Sequence, residues 1–167
     1  MYLRNQGRKE RGTFIHPEIG YNFRMTDIQC AIGLTQLKKL DEIKNRKMSI
    51  KKMYSELLQD VPEVVFFSPE KDAEWIPFRV GILCERAHEL MNFMQAKEIE
   101  PRTFFYPLHR QPCYSSLLNG QKYMLDEHFP NAVFGYENGV CLPTFPALTT
   151  DQIRYTCDTI KKFYAKK

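Results

Sequence analysis

The chain has 167 residues, 43% hydrophobic and 26% charged, and its 24 basic and 20 acidic side chains leave a net charge of +4. That composition suits one ordinary globular domain, and the mild basic excess does not demand nucleic-acid binding, although residues 38–52 and 161–167 are locally basic; no nucleic-acid partner is expected. No stretch is apolar over the roughly eighteen residues of a membrane span and the first residues lack a signal-peptide core, so the expected address is the cytoplasm. Cys30, Cys84, Cys113, Cys141 and Cys157 form an odd set without a C-x-x-C pair. They are expected to be small buried hydrophobes rather than disulfides or zinc ligands.

Gly7, Gly12, Pro17 and Gly20 punctuate the first twenty-five residues as loops. Phe14, Ile15, Ile19, Tyr21 and Phe23 would face water there unless a second copy or another protein covers them, which predicts a homodimer or a partner chain. Thr26 with Gln29 makes a capping box, and Ile28, Ala31, Ile32, Leu34, Leu37 and Leu40 follow at helical spacing. The pattern resumes at Ile50, Met53, Tyr54, Leu57 and Leu58, predicting one helix over residues 26–58, long enough to act as a strut between two lobes. Lys51, within Ser49-Ile-Lys51, lies among Lys44, Arg46, Lys47 and Lys52 and reads as part of a solvated basic face.

Beyond that helix, residues 61–67 and 75–83 read as strands and 86–97 as a helix carrying Ala87, Leu90, Met91, Phe93 and Met94 inward. A third strand is expected over 102–106, a short helical turn over 114–118, and a helix over 123–134 interrupted by Pro130. Residues 139–142 read as the last strand. Thr149 and Gln152 form a second capping box opening a closing helix that buries Ile153, Cys157, Ile160 and Phe163. This order implies an α+β fold, a small and largely antiparallel sheet covered by helices.

Three stretches carry a likeness: residues 20–37 (GYNFRMTDIQCAIGLTQL), 104–114 (FFYPLHRQPCY) and 140–153 (VCLPTFPALTTDQI). Together they resemble the DegT/StrS family of pyridoxal-phosphate sugar aminotransferases, in the branch acting on a GDP-linked 4-keto-6-deoxyhexose. The resemblance covers nearly the whole chain but only the C-terminal part of the family's domain plan. It implies the small domain of a fold-type I aminotransferase over residues 60–167, a linking helix over 26–59, and a remnant of the large-domain interface over 1–25. In the family the large domain carries the Schiff-base lysine, the carboxylate that pairs with the pyridine nitrogen, and most of the phosphate loop. A pyridoxal enzyme needs the first two because the cofactor ring is its electron sink. The chain is therefore expected to be inactive alone and not to hold pyridoxal phosphate by itself. Two other expectations stand beside this one: half of a split aminotransferase needing a separate N-terminal chain, or a non-catalytic binding or regulatory module on the same fold.

The resemblance also suggests site residues. Asn22, in G-x-N-x-R, is implied to donate its amide to the phosphate of a cofactor bound by the other subunit; the alternative is an asparagine that only shapes the turn before the helix. Arg24 and Arg4 match positions near the nucleotide sugar, where a guanidinium can grip a diphosphate, or else they are surface arginines. His109 matches a histidine beside the sugar or its phosphates, with packing against Tyr106 or Tyr114 as the alternative. Tyr106 and Arg102 are further substrate-binding candidates. No catalytic residue and no metal ligand is expected in this chain, because His109 and Cys113 alone do not make a zinc site.

Overall fold

Thr26 opens the first helix through the expected reciprocal bonds: its hydroxyl accepts from the Gln29 amide at 3.3 Å, and Gln29 Oε1 accepts from the Thr26 amide at 2.8 Å. The computed structural model describes residues 3–8, 15–114 and 125–165. Gly12, Phe14, nearly all of the turn expected over 114–118 and the start of the helix expected from 123 lie outside them. Two units divide the chain, Met1–Glu42 and Ile43–Lys167.

The single helix expected over 26–58 is two helices, α1 (Asp27–Leu37) and α2 (Leu40–Leu57). The Lys39 amide bonds to the Gln36 carbonyl at 3.0 Å, a tightened turn that interrupts the i→i+4 ladder. Thr35 aids the break by bonding back to the Ala31 carbonyl at 2.8 Å. No residue of α1 is buried, and Ile15, Ile19, Tyr21, Phe23, Ile28, Ile32, Leu34 and Leu37 are all exposed. The expected uncovered apolar segment is thus larger than the first twenty-five residues.

In the second unit α2 turns Ile50 and Tyr54 inward. The strands are β1 (Val64–Phe66), β2 (Val80–Cys84), β3 (Arg102–Thr103) and β4 (Gly139–Leu142), in the order β1-β2-β4-β3 and antiparallel throughout. The helices are α3 (Ala87–Gln95), α4 (Pro130–Asn138) and α5 (Thr150–Tyr164). Period-2 alternation puts Val80, Ile82, Val140 and Leu142 on one sheet face, and they meet Leu90, Met94, Ile153, Cys157 and Ile160 in the core. Burying each such side chain stabilises the fold by about 1.5–3 kcal/mol before entropy is counted. The Thr149–Gln152 capping box forms as expected at the start of α5.

Three expected elements differ in extent. The second strand starts at Val80 rather than Trp75, because Pro77 supplies no ladder donor and Trp75 instead lies under the Lys51 ammonium at 4.2 Å. The third stops at Thr103, since β4 begins at Gly139 and offers almost no further backbone to pair. Pro130 opens α4 instead of interrupting a helix; its missing N–H is harmless in a first turn.

The cysteines also divide. Cys84 and Cys157 are buried and Cys141 is half-buried, whereas Cys30 and Cys113 are exposed, so the uniform expectation fails for those two. Burial pushes the Cys157 thiol up to about 12 and raises Cys84 as well. Alkylation near pH 8 is expected to label Cys30 and Cys113 and to spare Cys157 until the chain unfolds, because the thiolate is the reactive form. Mass spectrometry after a short iodoacetamide pulse checks this, and labelling of Cys157 at the rate of Cys30 contradicts it.

Candidate functional site

Asn22 stands on a short antiparallel ribbon in the first unit, bridged to Asn5. Tyr21 N bonds to the Leu3 carbonyl at 2.6 Å, Phe23 N to Arg4 at 3.1 Å, and Gln6 N to Tyr21 at 3.0 Å. The ribbon closes tightly: a Cβ on Gly20 would lie 2.0 Å from the Gly7 nitrogen, and Gly7 itself has φ +73°. His16 donates from Nδ1 to the Gln6 carbonyl at 2.7 Å. Backbone bonds therefore hold Asn22, whose carboxamide is exposed and makes no hydrogen bond among the described residues. Arg24 Nη1 donates to Asn5 Oδ1 at 3.3 Å, and the pairing of Phe23 with Arg4 places both arginines on this ribbon.

Tyr106 and His109 lie in the second unit, on the loop leaving β3. Tyr106 meets Tyr136 of α4 edge-on at 5.0 Å. His109 packs against Phe129, not Tyr106 or Tyr114, with ring centroids 4.7 Å apart, and its side chain is only 4% exposed. Its Nε2 lies 2.9 Å from Asp126 Oδ1; an ionised carboxylate can only accept, so Nε2 carries the hydrogen.

Asp126 is the residue that sequence reasoning missed. Arg110 grips it in two-point fashion, Nε to Oδ1 at 2.8 Å and Nη2 to Oδ2 at 2.5 Å, and reaches Glu137 of α4 at 3.3 Å. The signal available was the adjacent H-R pair, a histidine and a guanidinium that both seek a carboxylate, but nothing in the spacing says which one.

The Arg110 bonds, and then His109, hold the Asp126 carboxyl well below the usual range while raising Arg110. A depressed acid stabilises the folded state above its unfolded pKa, about 3.9 for aspartate, and loses that contribution only as the pH falls through the lower folded value. The loop is thus expected to stay latched from neutral pH down to about pH 4 and to release below it. Arg110→Gln should move the release upward, as read from the Phe129 and His109 resonances; an unchanged release pH in that variant contradicts the latch.

Arg102 is separated from Tyr106 and His109. It pairs with Glu100 at 2.5 Å and lines a cleft of about 930 Å³ at the entry of β3, whereas Tyr106 and His109 follow its exit. A two-residue strand cannot carry all three to one end. The loop over residues 143–148 bounds this cleft, pinned by α2: Lys47 Nζ donates to the Thr144 and Phe78 carbonyls at 3.2 and 2.9 Å, Arg46 to Pro146 at 3.1 Å and to Leu148, and Tyr54 to Pro143 at 3.1 Å.

Pyridoxal phosphate, the group the resemblance implies, asks for phosphate donors, an amine for its aldehyde and a carboxylate for its ring nitrogen. The exposed Asn22 carboxamide beside Arg24 fits the first requirement. Lys47 is held by two carbonyls and Lys51 by the Trp75 ring, so neither offers the amine. Among the described residues no cluster suits a metal ion, and no helix is long and apolar enough to cross a membrane.

The chain is 35% identical to GDP-perosamine synthase of Escherichia coli O157:H7 over its whole length, and 30% identical to that of Vibrio cholerae over 97% of it. It spans less than half of those relatives, 44% of each. The solved structure of DesV from S. venezuelae superposes on 99% of the chain with a TM-score of 0.84 at 23% identity, the chain matching 43% of that structure. The fold is therefore that of the aminotransferases' smaller part. The pattern of the DegT/DnrJ/EryC1/StrS aminotransferases matches residues 1–161, and the chain belongs to this family of sugar aminotransferases, whose members depend on pyridoxal phosphate.

Proposed function

We propose that the chain supplies the C-terminal, small-domain portion of a cytoplasmic nucleotide-sugar aminotransferase of the perosamine-synthase kind, acting on a GDP-linked 4-keto-6-deoxyhexose for amino-sugar polysaccharides. The observation that carries this is the 35% identity along the entire chain to a GDP-perosamine synthase. The exposed ribbon bearing Asn22, Arg4 and Arg24 supports it.

On this reading the Asn22 carboxamide donates to the phosphate of pyridoxal phosphate seated on the large domain of a neighbouring protomer. An amide does this without adding a second charge to the site. Bound there, the cofactor supplies the electron sink for amino transfer. Arg4 and Arg24 meet the diphosphate of the nucleotide sugar, where a guanidinium presents a fork of donors. The Asp126–Arg110 latch fixes the loop that offers Tyr106 to the sugar, and His109 serves as part of that anchorage. Arg102, at the other end of β3, falls outside this proposal. The exposed apolar face of α1 and residues 15–23 is the surface that a neighbouring protomer or the large domain covers.

Turnover requires a lysine-bearing large domain, in the same polypeptide or a separate one. The purified 167-residue chain, incubated with pyridoxal phosphate and reduced with borohydride, is expected to give no specific pyridoxyl-lysine. Adding the large domain of a GDP-perosamine synthase should yield glutamate-dependent amination of the GDP-linked keto sugar. Amination by the chain alone, or none by the pair, overturns the reading.

A further inference from the structure

A second cleft lies in the second unit, away from the His109 loop. It opens at the far end of the sheet, where β4 ends and β3 begins, and its volume of about 930 Å³ is near the upper end of the range for small-molecule sites, about 300–1,000 Å³. Its floor is apolar, with Ile99, Leu142 and Leu148 buried. Three aromatic rings stand around it without being absorbed into the core: Phe78 is 73% exposed, Phe145 49% and Tyr155 50%.

The charges have a pattern too. Lys47 is engaged by backbone carbonyls and Arg102 by Glu100, but Arg79 and Lys97 make no ion pair among the described residues, nor do the carboxylates Glu98 and Asp151. The Arg79 guanidinium is held by the Cys141 side chain and over the Phe78 ring at 5.2 Å, Lys47 approaches the same ring at 5.7 Å, and Tyr155 donates to the Lys97 carbonyl at 3.3 Å. Exposed ring faces, two cations available to an anion and two carboxylates available to hydroxyl or amino donors describe a ligand with a flat base, a polyhydroxylated ring and phosphates. A simple anion would leave the rings and floor unused, and a neutral aromatic would leave the cations unused.

We propose that this cleft is a second binding site, taking a nucleoside diphosphate: its base against Phe78, Phe145 or Tyr155, its phosphates on Arg79 and Lys97, and its sugar hydroxyls toward Glu98 and Asp151. Base stacking on an aromatic side chain strengthens binding by about tenfold or more, enough to set a nucleotide apart from free phosphate. Occupancy does not compete with ligands at the loop leaving β3, which makes the cleft suited to an effector rather than a substrate. The site stands on its own geometry and holds whether or not the proposed aminotransferase role does.

The test is titration of the labelled full chain with GDP, with guanosine and inorganic pyrophosphate as separate arms, followed by amide resonances. GDP is expected to bind with a Kd of about 10 µM to 1 mM, shifting residues 78–79, 97–98 and 141–145. Guanosine and pyrophosphate should each bind about tenfold more weakly, and Phe78→Ala and Arg79→Gln should each weaken GDP about tenfold. Both side chains lie outside the core, so these variants fold. Equal affinity for pyrophosphate overturns the proposal by reducing the cleft to an anion patch, as does indifference to both substitutions or absence of binding at millimolar GDP. Shifts confined to Asn22, Arg24, Tyr106 and His109 overturn it as well, while favouring the substrate reading of those residues.

Discussion

Replacing Gly139 by alanine is expected to destabilise the second unit by about 1–3 kcal/mol, a large share of the stability of a small domain. The added Cβ would stand 2.3 Å from the Gly135 carbonyl oxygen and 2.4 Å from the Phe104 ring. The first contact is backbone and cannot rotate away. The second is a ring lying across the open sheet face, where Gly81 leaves room for it in the same manner. Relief therefore means moving α4 or lifting Phe104, and Phe104 begins the loop that leads to Tyr106 and His109. With a urea slope of about 1–3 kcal/mol per molar, the midpoint should fall by roughly 1 M. Gly33→Ala is the contrasting control: its Cβ meets only the Met25 terminal methyl at 3.9 Å, so the helix preference for alanine should make it neutral or stabilising. A Gly139→Ala midpoint equal to that of the parent would mean that neither contact constrains the sheet.

The second large effect concerns cofactor retention in an assembly with a lysine-bearing large domain. Asn22→Ala is expected to weaken retention of pyridoxal phosphate about tenfold, and Asn22→Asp about a hundredfold or more, because aspartate replaces a donor with a like charge against the phosphate. The ribbon is held by backbone bonds from residues 21 and 23 and the bridge between Asn5 and Asn22, so neither substitution removes its support. Absorbance of the bound cofactor after stepwise dialysis gives the ratio, and far-ultraviolet circular dichroism verifies the fold. Retention unchanged in Asn22→Asp would remove the residue from the phosphate site.

Those two positions show why different parts of the molecule were legible to different degrees. Thr26–Gln29 and Thr149–Gln152 could be read directly, since a capping box uses side chains three residues apart and needs no help from the rest of the chain. The inward stripe of α5 and the bounds of β4 were equally plain, because alternation and helical period are local. The break at Lys38–Lys39 was not anticipated, because Leu34, Leu37 and Leu40 keep helical spacing across it. Helical periodicity on both sides says nothing about whether the turn between them closes four residues back or three.

The sequence by itself determined the α+β class, the antiparallel sheet under helices and the family, because these depend on patterns within a few residues or on motifs read in order. Only the tertiary structure decided that Asp126 latches His109 and Arg110, that Arg102 belongs to a separate cleft, and that α1 is left uncovered. Each of those is a matter of which residues meet across the fold. Asp126 lies 17 positions from His109, and the carbonyl that Lys47 holds on Thr144 lies 97 away. Side-chain chemistry states what each group requires, but the path of the backbone chooses the partner that satisfies it.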